Sequence, residues 1–452
     1  MSRHPAAAAR FRLTNLDQTA WALADATGRS QLVQAIWVYD GPIDAAGVQR
    51  FADNFAVGGG NRVVERARLP FARPRWVRPP GAAPVSFAAA ARPRADLLRW
   101  ADECADPPLD PEAGPAWRVA VQPFDDGSTA VAMTVSHVIG DAYGGFQEIG
   151  LAIAGRGVDL GYSAAGSQTG LAATVADLAQ VIRDLPATIR GAREWWRSGR
   201  LRPRPASLRA DAPGDDRIVS IPAVVARVQL ERWNRRARDA GGNAATLLAA
   251  FAVDLAGRVG HTGADGRVTL LIPTNLRTGP HDLRANAFGF GRVAVPAAAG
   301  RDHDRLRAVL DEARTTGLAG DGPEDSMLAL VPGLTRRGVR RLADRFFDYA
   351  GDPPTSLSNL GILPPELASV DGTEAGWFIA RPIDVGVRAR DLRRTNGHLV
   401  VVASAIRTRH RDRRAWTISV EHADAAGERT RDDLRAAVRA TFDALGVDGH
   451  LE

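Results

Sequence analysis

One stretch of this 452-residue chain joins a titratable side chain to the local geometry that proton transfer needs. Ser136-His137-Val138-Ile139-Gly140-Asp141-Ala142-Tyr143-Gly144-Gly145 begins where an apolar run ends. A histidine released from a strand end into a glycine-rich loop can present an imidazole to a cleft, as a general base requires. Asp141, four residues on, is suited to fixing that loop by pairing with a distant arginine. The same spacing recurs at His261-Thr-Gly-Ala-Asp265, but within the polar turn VGHTGADGR, which reads as solvated. Context therefore selects His137, and His261 is expected to be inert. Cys104, the only cysteine, lies in the polar stretch RWADECADPP and reads as an ordinary thiol rather than a nucleophile.

The elements that must hold this loop can be read from periodicity. A hairpin is predicted from residues 117–123 and 129–136, apolar or alternating runs on either side of Asp125-Asp126-Gly127. Before it come a helix over 13–26, a strand over 31–39, a helix over 44–55, short proline-interrupted strands over 62–87 and a helix over 96–105. A helix over 146–154 follows. From 174 to 196, Leu178, Ile182, Leu185 and Ile189 recur on one helical face, with Pro186 expected to kink or split the helix. The Arg- and Pro-rich run SGRLRPRPASLRADAPGDD then reads as a linker. Beyond it, strands are predicted near 218–230, 267–272, 291–295, 376–379, 399–405 and 415–420. Helices are predicted near 231–239, 244–258, 304–315, 324–349 with a break at Pro332, and 431–445. Both halves mix strands and helices without regular alternation, which favours an α+β class over a doubly wound sheet. The division is an N-terminal half over 1–170, a linker over 171–215 and a C-terminal half over 216–452.

Composition removes several chemistries. All 58 basic residues are arginine, against 52 acidic residues, for a net charge of +6. Without lysine there is no Schiff-base, phosphate-loop or kinase lysine. The arginines are interleaved with acids along the chain, which speaks against a nucleic-acid partner. A single cysteine excludes an intramolecular disulfide and any Cys-rich metal centre, and suits a reducing cytoplasm. No His pair with a glutamate at zinc-site spacing occurs, so no metal is expected. A Gly-x-Ser-x-Gly elbow is missing, since Gly161-Tyr-Ser163-Ala-Ala-Gly166 has the wrong spacing for a serine hydrolase. The N-terminal residues lack the apolar core of a secretory signal, and no apolar stretch reaches membrane-spanning length. Arg183, Arg190, Arg193, Arg197, Arg200, Arg202 and Arg204 beside the apolar stripe and Trp195-Trp196 raise a peripheral membrane contact as an expectation.

Several segments, taken in order, resemble the wax ester synthases and bacterial diacylglycerol acyltransferases, with their relatives the polyketide-associated acyltransferases and nonribosomal-peptide condensation domains. These families share a His-His-x-x-x-Asp-Gly motif, matched here by Ser136-His137 through Asp141-Ala142. The opening Leu13-Thr-Asn-Leu-Asp17-Gln-Thr-Ala-Trp21, the stretch WVYDGP at 37–42, Pro74-Arg-Trp76, and Pro107-Pro-Leu-Asp110 with Pro115-Ala-Trp117 are similar to family segments. So are Pro273-Thr-Asn-Leu-Arg277, Asn286-Ala-Phe-Gly-Phe-Gly291 and the turn Ser358-Asn359-Leu360-Gly361.

The resemblance implies two chloramphenicol acetyltransferase-like halves forming a pseudo-dimer around a central channel. His137 would be the base, and Asp141 would be structural, with Arg277 as its partner. Ser136, Gly140, Asn275, Ser358 and Asn359 would line the channel. The implied activity is acyl transfer from an acyl-CoA or acyl-carrier thioester to a hydroxyl or amine, with no bound cofactor and a carrier protein as a further partner. Wax ester or diacylglycerol-type O-acylation is the nearest resemblance. Condensation-like ester or amide formation in natural-product biosynthesis and a non-catalytic binding descendant are the alternatives. Two departures, Ser136 for the first His and Ala142 for the Gly, put lipid acylation in more doubt than acyl transfer itself.

Overall fold

The computed structural model describes residues 11–81, 83–197, 216–279, 282, 284–319, 328–346, 352–409 and 414–452. In chain order the first part carries α1 (Asn15–Thr27), β1 (Ser30–Tyr39), α2 (Ala45–Val57), β2 (Val63–Glu65), β3 (Arg75–Val77), β4 (Val85–Phe87) and α3 (Leu97–Glu103). It continues with β5 (Trp117–Pro123), β6 (Thr129–Ser136), α4 (Ala142–Ile153) and α5 (Leu171–Arg197). The second part holds β7 (Ala223–Gln229), α6 (Leu230–Asp239), α7 (Ala244–Val259), β8 (Arg267–Asn275), β9 (Phe288–Pro296), α8 (His303–Ala319) and α9 (Arg336–Phe346). It ends with β10 (Pro354–Leu363), β11 (Trp377–Val385), α10 (Ala389–Thr395), β12 (His398–Ile406), β13 (Ala415–Ala423), α11 (Arg431–Leu445) and β14 (His450–Leu451).

Two mixed sheets organise the molecule, one ordered β11-β1-β6-β5-β4 and the other β14-β7-β13-β12-β10-β8-β9. β6 lies between β1 and β5 with both faces covered, which is why it reads as a nearly unbroken apolar run rather than an alternation. One face of the first sheet, through Trp37, Met133 and Phe378, joins Phe51 and Phe55 of α2 and Phe146 of α4 in a single core. The opposite face, through Ile36, Ala132 and Ile379, packs on Leu97 and Trp100 of α3. In the second sheet, α7 is buried almost all round and fills the space between the strands and α11.

The hairpin and the last helix fall where the periodicity puts them. Three readings differ. The chain does not divide its sheets at the linker: β11, from the second half, pairs with β1 from Ser30↔Val385 to Val38↔Trp377. This strand also ties the sheets together, because Thr417 Oγ1 donates to the Phe378 carbonyl at 2.7 Å and Ser419 Oγ to that of Ala380 at 2.9 Å. Pro186 lies inside α5 without splitting it into two helices. The segment Ser358-Asn359-Leu360-Gly361 is not a turn but part of β10, with a bulge between Asn359 and Gly361. Of the helical sequence expected over 324–349, the described residues form a 3-10 turn at Val331–Gly333, at the expected break, and then α9; 320–327 and 347–351 lie outside the described residues, as does the run 198–215.

Candidate active site

β6 ends at Ser136, and His137 opens a short 3-10 turn, His137–Ile139, at the seam between the two sheets. Ser136 is buried, and its Oγ accepts from the Val138 amide at 3.4 Å, so the serine caps the turn. The His137 ring is half-buried and meets the edge of Phe288, from β9 of the second sheet, with centroids 6.0 Å apart. Among the described residues, none hydrogen-bonds the ring, which leaves its nitrogens to a substrate. Phe288 in turn meets the exposed Phe290 edge-on, centroids 5.1 Å apart, extending an apolar wall away from the histidine.

The loop carrying His137 is held from both halves. Asn286 Nδ2 donates to the Val138 carbonyl at 3.2 Å and Arg62 Nε to that of Ile139 at 3.0 Å. The Asp141 amide donates to the Ala285 carbonyl at 3.1 Å. The Asp141 carboxylate caps α4 by accepting from the Gly144 amide at 2.8 Å, and accepts from the Ala287 amide at 2.8 Å and from Arg277 at 2.7 and 2.9 Å. Arg277 thus pairs with Asp141 across the seam, its side chain 4% exposed against 7% for the aspartate. Its other nitrogen donates to the carbonyls of Arg284 and Ala285 at 3.1 and 2.9 Å. Asp141 points at this scaffold, not at the histidine.

The glycines of the loop have a steric explanation. A Cβ on Gly144 would come within 2.4 Å of the Arg277 guanidinium, so Gly144 makes room for the ion pair. Ala142 is the first residue of α4, where an L-residue is at home, so the departure from glycine carries no backbone penalty. In β9, a Cβ on Gly291 would meet the Ala313 carbonyl oxygen at 1.9 Å; the missing side chain lets α8 lie against the strand that presents Phe288 and Phe290.

The remaining expected channel residues are more dispersed. Asn275 sits opposite Phe288 in the β8–β9 ladder, and its Oδ1 accepts from the Arg277 amide at 3.1 Å, so it braces the arginine. Gly140 borders a cavity shared with Asp141, Arg277, Arg62 and Glu148, which does not include His137. Burial pushes the Glu148 carboxyl there above its usual range. Ser358 and Asn359 lie in β10, where Asn359 Oδ1 accepts from the Gly361 amide at 3.0 Å. Arg62, Asn286 and Phe288 act on the loop but do not stand out in the sequence; only Asn286 and Phe288 lie in a segment it singles out.

His261 is not in a solvated turn. It is 3% exposed, its Nε2 is 3.2 Å from the Pro354 carbonyl, and its ring meets His422 edge-on at 6.1 Å. Burial holds its pKa down at about 4. The polar turn after α7 is real, but its first residue tucks under β10. Cys104 is half-buried, and burial pushes its thiol up to about 12, which suits its reading as an unreactive side chain. Asp384, His398 and Glu421 bring three potential ligand atoms within 4.8 Å of one another where β11 meets β12 and β13. Three separate strands supply them, so no sequence spacing announces the group. His398 Nε2 lies 3.4 Å from Asp384 and 3.7 Å from Glu421, as an internal ion-pair cluster.

No family model matches the chain and no curated protein matches it in sequence. Solved structures do. The first condensation domain of the calcium-dependent antibiotic synthetase, in complex with a substrate analogue, is similar at a TM-score of 0.55 and 14% identity, over 96% of this chain and 95% of that one. A condensation domain from the monacolin K polyketide synthase MokA matches at a TM-score of 0.53 and 13% identity, covering 96% of each. A mutant starter condensation domain of rhizomide synthetase RzmA, in complex with C8-CoA, matches at a TM-score of 0.51 and 14% identity, over 96% of this chain and 94% of that one. The chain therefore has the two-lobed condensation-domain fold, an α+β pair of chloramphenicol acetyltransferase-like halves.

Proposed function

We propose that this chain is an acyltransferase of the condensation type, joining an acyl group from a thioester to a hydroxyl or amine acceptor. The observation that carries the proposal is the setting of His137: a ring without a protein hydrogen bond among the described residues, on a loop pinned from both halves, at the seam of the two lobes. In this mechanism His137 takes the proton from the acceptor as its oxygen or nitrogen attacks the thioester carbonyl. The new C–O or C–N bond forms, the C–S bond breaks, and the proton passes to the departing thiolate. Asp141 and Arg277 keep the loop in place and do not touch the reacting atoms. Ser136, where the related motif has its first histidine, stays engaged with the turn's backbone, so the departure changes the wall of the site more than the base.

The neighbours support this reading by what they are: condensation domains of an antibiotic synthetase, a polyketide synthase and rhizomide synthetase, the last in complex with C8-CoA. They lend no support to wax ester or diacylglycerol specificity, and condensation-type ester or amide formation is the reading we adopt. The donor is an acyl-CoA or an acyl group on a carrier protein. The test incubates the purified protein with acyl-CoA and acyl-pantetheine thioesters, with and without alcohol and amine acceptors, and follows free thiol. Acceptor-dependent thiol release is expected. Thermal stabilisation by thioesters with no thiol release under any acceptor would instead identify a binding protein built on the fold.

A further inference from the structure

α5 packs the wrong way round for a helix of a protein surrounded only by water. Its buried side is polar. Asp177 is fully buried, where it pairs with Arg12 and accepts from the amides of Arg68 at 2.8 Å and Leu69 at 3.3 Å. Gln180 accepts from the Arg73 amide at 2.8 Å, and Asp184 pairs with the Arg73 guanidinium at 2.7 Å. On the opposite side, Leu171, Val175, Leu178, Ile182, Leu185 and Ile189 recur at spacings of four and three and are 43 to 79% exposed. Trp196 continues the same face at 74% exposure. At about 1.5 Å per residue this stripe runs on the order of 38 Å along one helix. Specific polar bonds on the inward side hold the stripe outward. Contiguous apolar surface of this extent marks an interaction site.

Charge identifies the occupant. Arg190, Arg193 and Arg197 are exposed along one border of the stripe, and Arg183 is exposed farther round. Asp177 and Asp184 pair with Arg12 and Arg73, outside the helix, and the one further acid of α5, Glu194, stands against four arginines, Arg183, Arg190, Arg193 and Arg197. An apolar face with a tryptophan at its end and an arginine border fits the boundary between headgroups and acyl chains of an anionic membrane. No single described helix is long and apolar enough to cross a bilayer, so the contact lies in the plane of the surface. We propose that α5 docks this chain onto an anionic phospholipid surface. The proposal stands on the helix alone and does not depend on the acyltransferase reading.

The experiment is flotation with vesicles of phosphatidylcholine alone and of phosphatidylcholine with phosphatidylserine, at low and high salt, together with light scattering to fix the oligomeric state. Three proteins are compared: wild type, Leu178→Asp/Ile182→Asp, and Arg190→Gln/Arg193→Gln/Arg197→Gln. All substituted side chains are exposed, and equal melting temperatures confirm that the fold is kept. Wild type is expected to float with the anionic vesicles and to lose binding as salt rises. The stripe variant should lose binding at least tenfold, and the arginine variant should lose its preference for the anionic vesicles. Absence of wild-type binding at low salt, or equal binding by the stripe variant, overturns the proposal. So does a wild-type dimer that the stripe variant splits into monomers, because a second copy is then the occupant.

Discussion

Asp141 accepts hydrogen bonds from Gly144, Ala287 and Arg277, so that one carboxylate ties the His137 loop, the start of α4 and the β8–β9 connection. Removing it leaves the Arg277 guanidinium buried and uncompensated, which costs about 3–5 kcal/mol. Asp141→Ala should therefore lower the melting temperature and lose activity together, as judged by thermal unfolding and thiol release on the same preparation. Wild-type stability in that variant would contradict the scaffold role. The pairing was legible through the family resemblance, which implies an arginine partner for the motif aspartate and matches Arg277 in the strand-end segment Pro273-Thr-Asn-Leu-Arg277. Arg62 was not legible: it reaches Ile139 from 77 residues away, and a lone arginine in an arginine-rich chain carries no signal. Nor was the reason for Gly144, which is the space taken by a guanidinium 133 residues later in the chain.

Elements with strong periodicity were read correctly, and those whose pattern serves a neighbour were not. The β5–β6 hairpin falls on the expected residues because its turn and flanking runs are local signals. β10 was missed because proline, serine, asparagine and glycine suit a loop; its partners β8 and β12 make it a parallel strand, which local sequence does not encode. The turn after α7 was read as polar throughout, yet His261 leaves it for the interior. This has a pH consequence. A histidine held near pKa 4, below its ordinary 6.5, takes up its proton more readily in the unfolded chain. Its stabilising contribution is complete above about pH 6.5 and is lost as pH falls toward 4. His422, held down by burial in the same way at about 4, acts in the same window. His261→Asn should be less stable than wild type at neutral pH and should show a shallower loss of melting temperature between pH 6.5 and 4. An unchanged melting temperature at neutral pH would show that the ring is solvated after all.

At the scale of the molecule, two sheets of five and seven strands are joined by one strand and one loop. β11 completes the first sheet from the second half, and the His137 loop is gripped by residues of β9 and the segment before it. The α+β class followed from the irregular mixture of strands and helices, but the crossing of β11 did not, because strand partners far apart in sequence leave no local mark. In the proposed mechanism this joint places the base, His137, between elements of the two lobes. The most direct test of this account is the turnover of His137→Ala in acceptor-dependent thiol release, with thermal unfolding measured alongside. The account predicts a fall of about a hundredfold or more, as for loss of a general base, with the melting temperature kept. Turnover equal to wild type in a folded His137→Ala protein would contradict it.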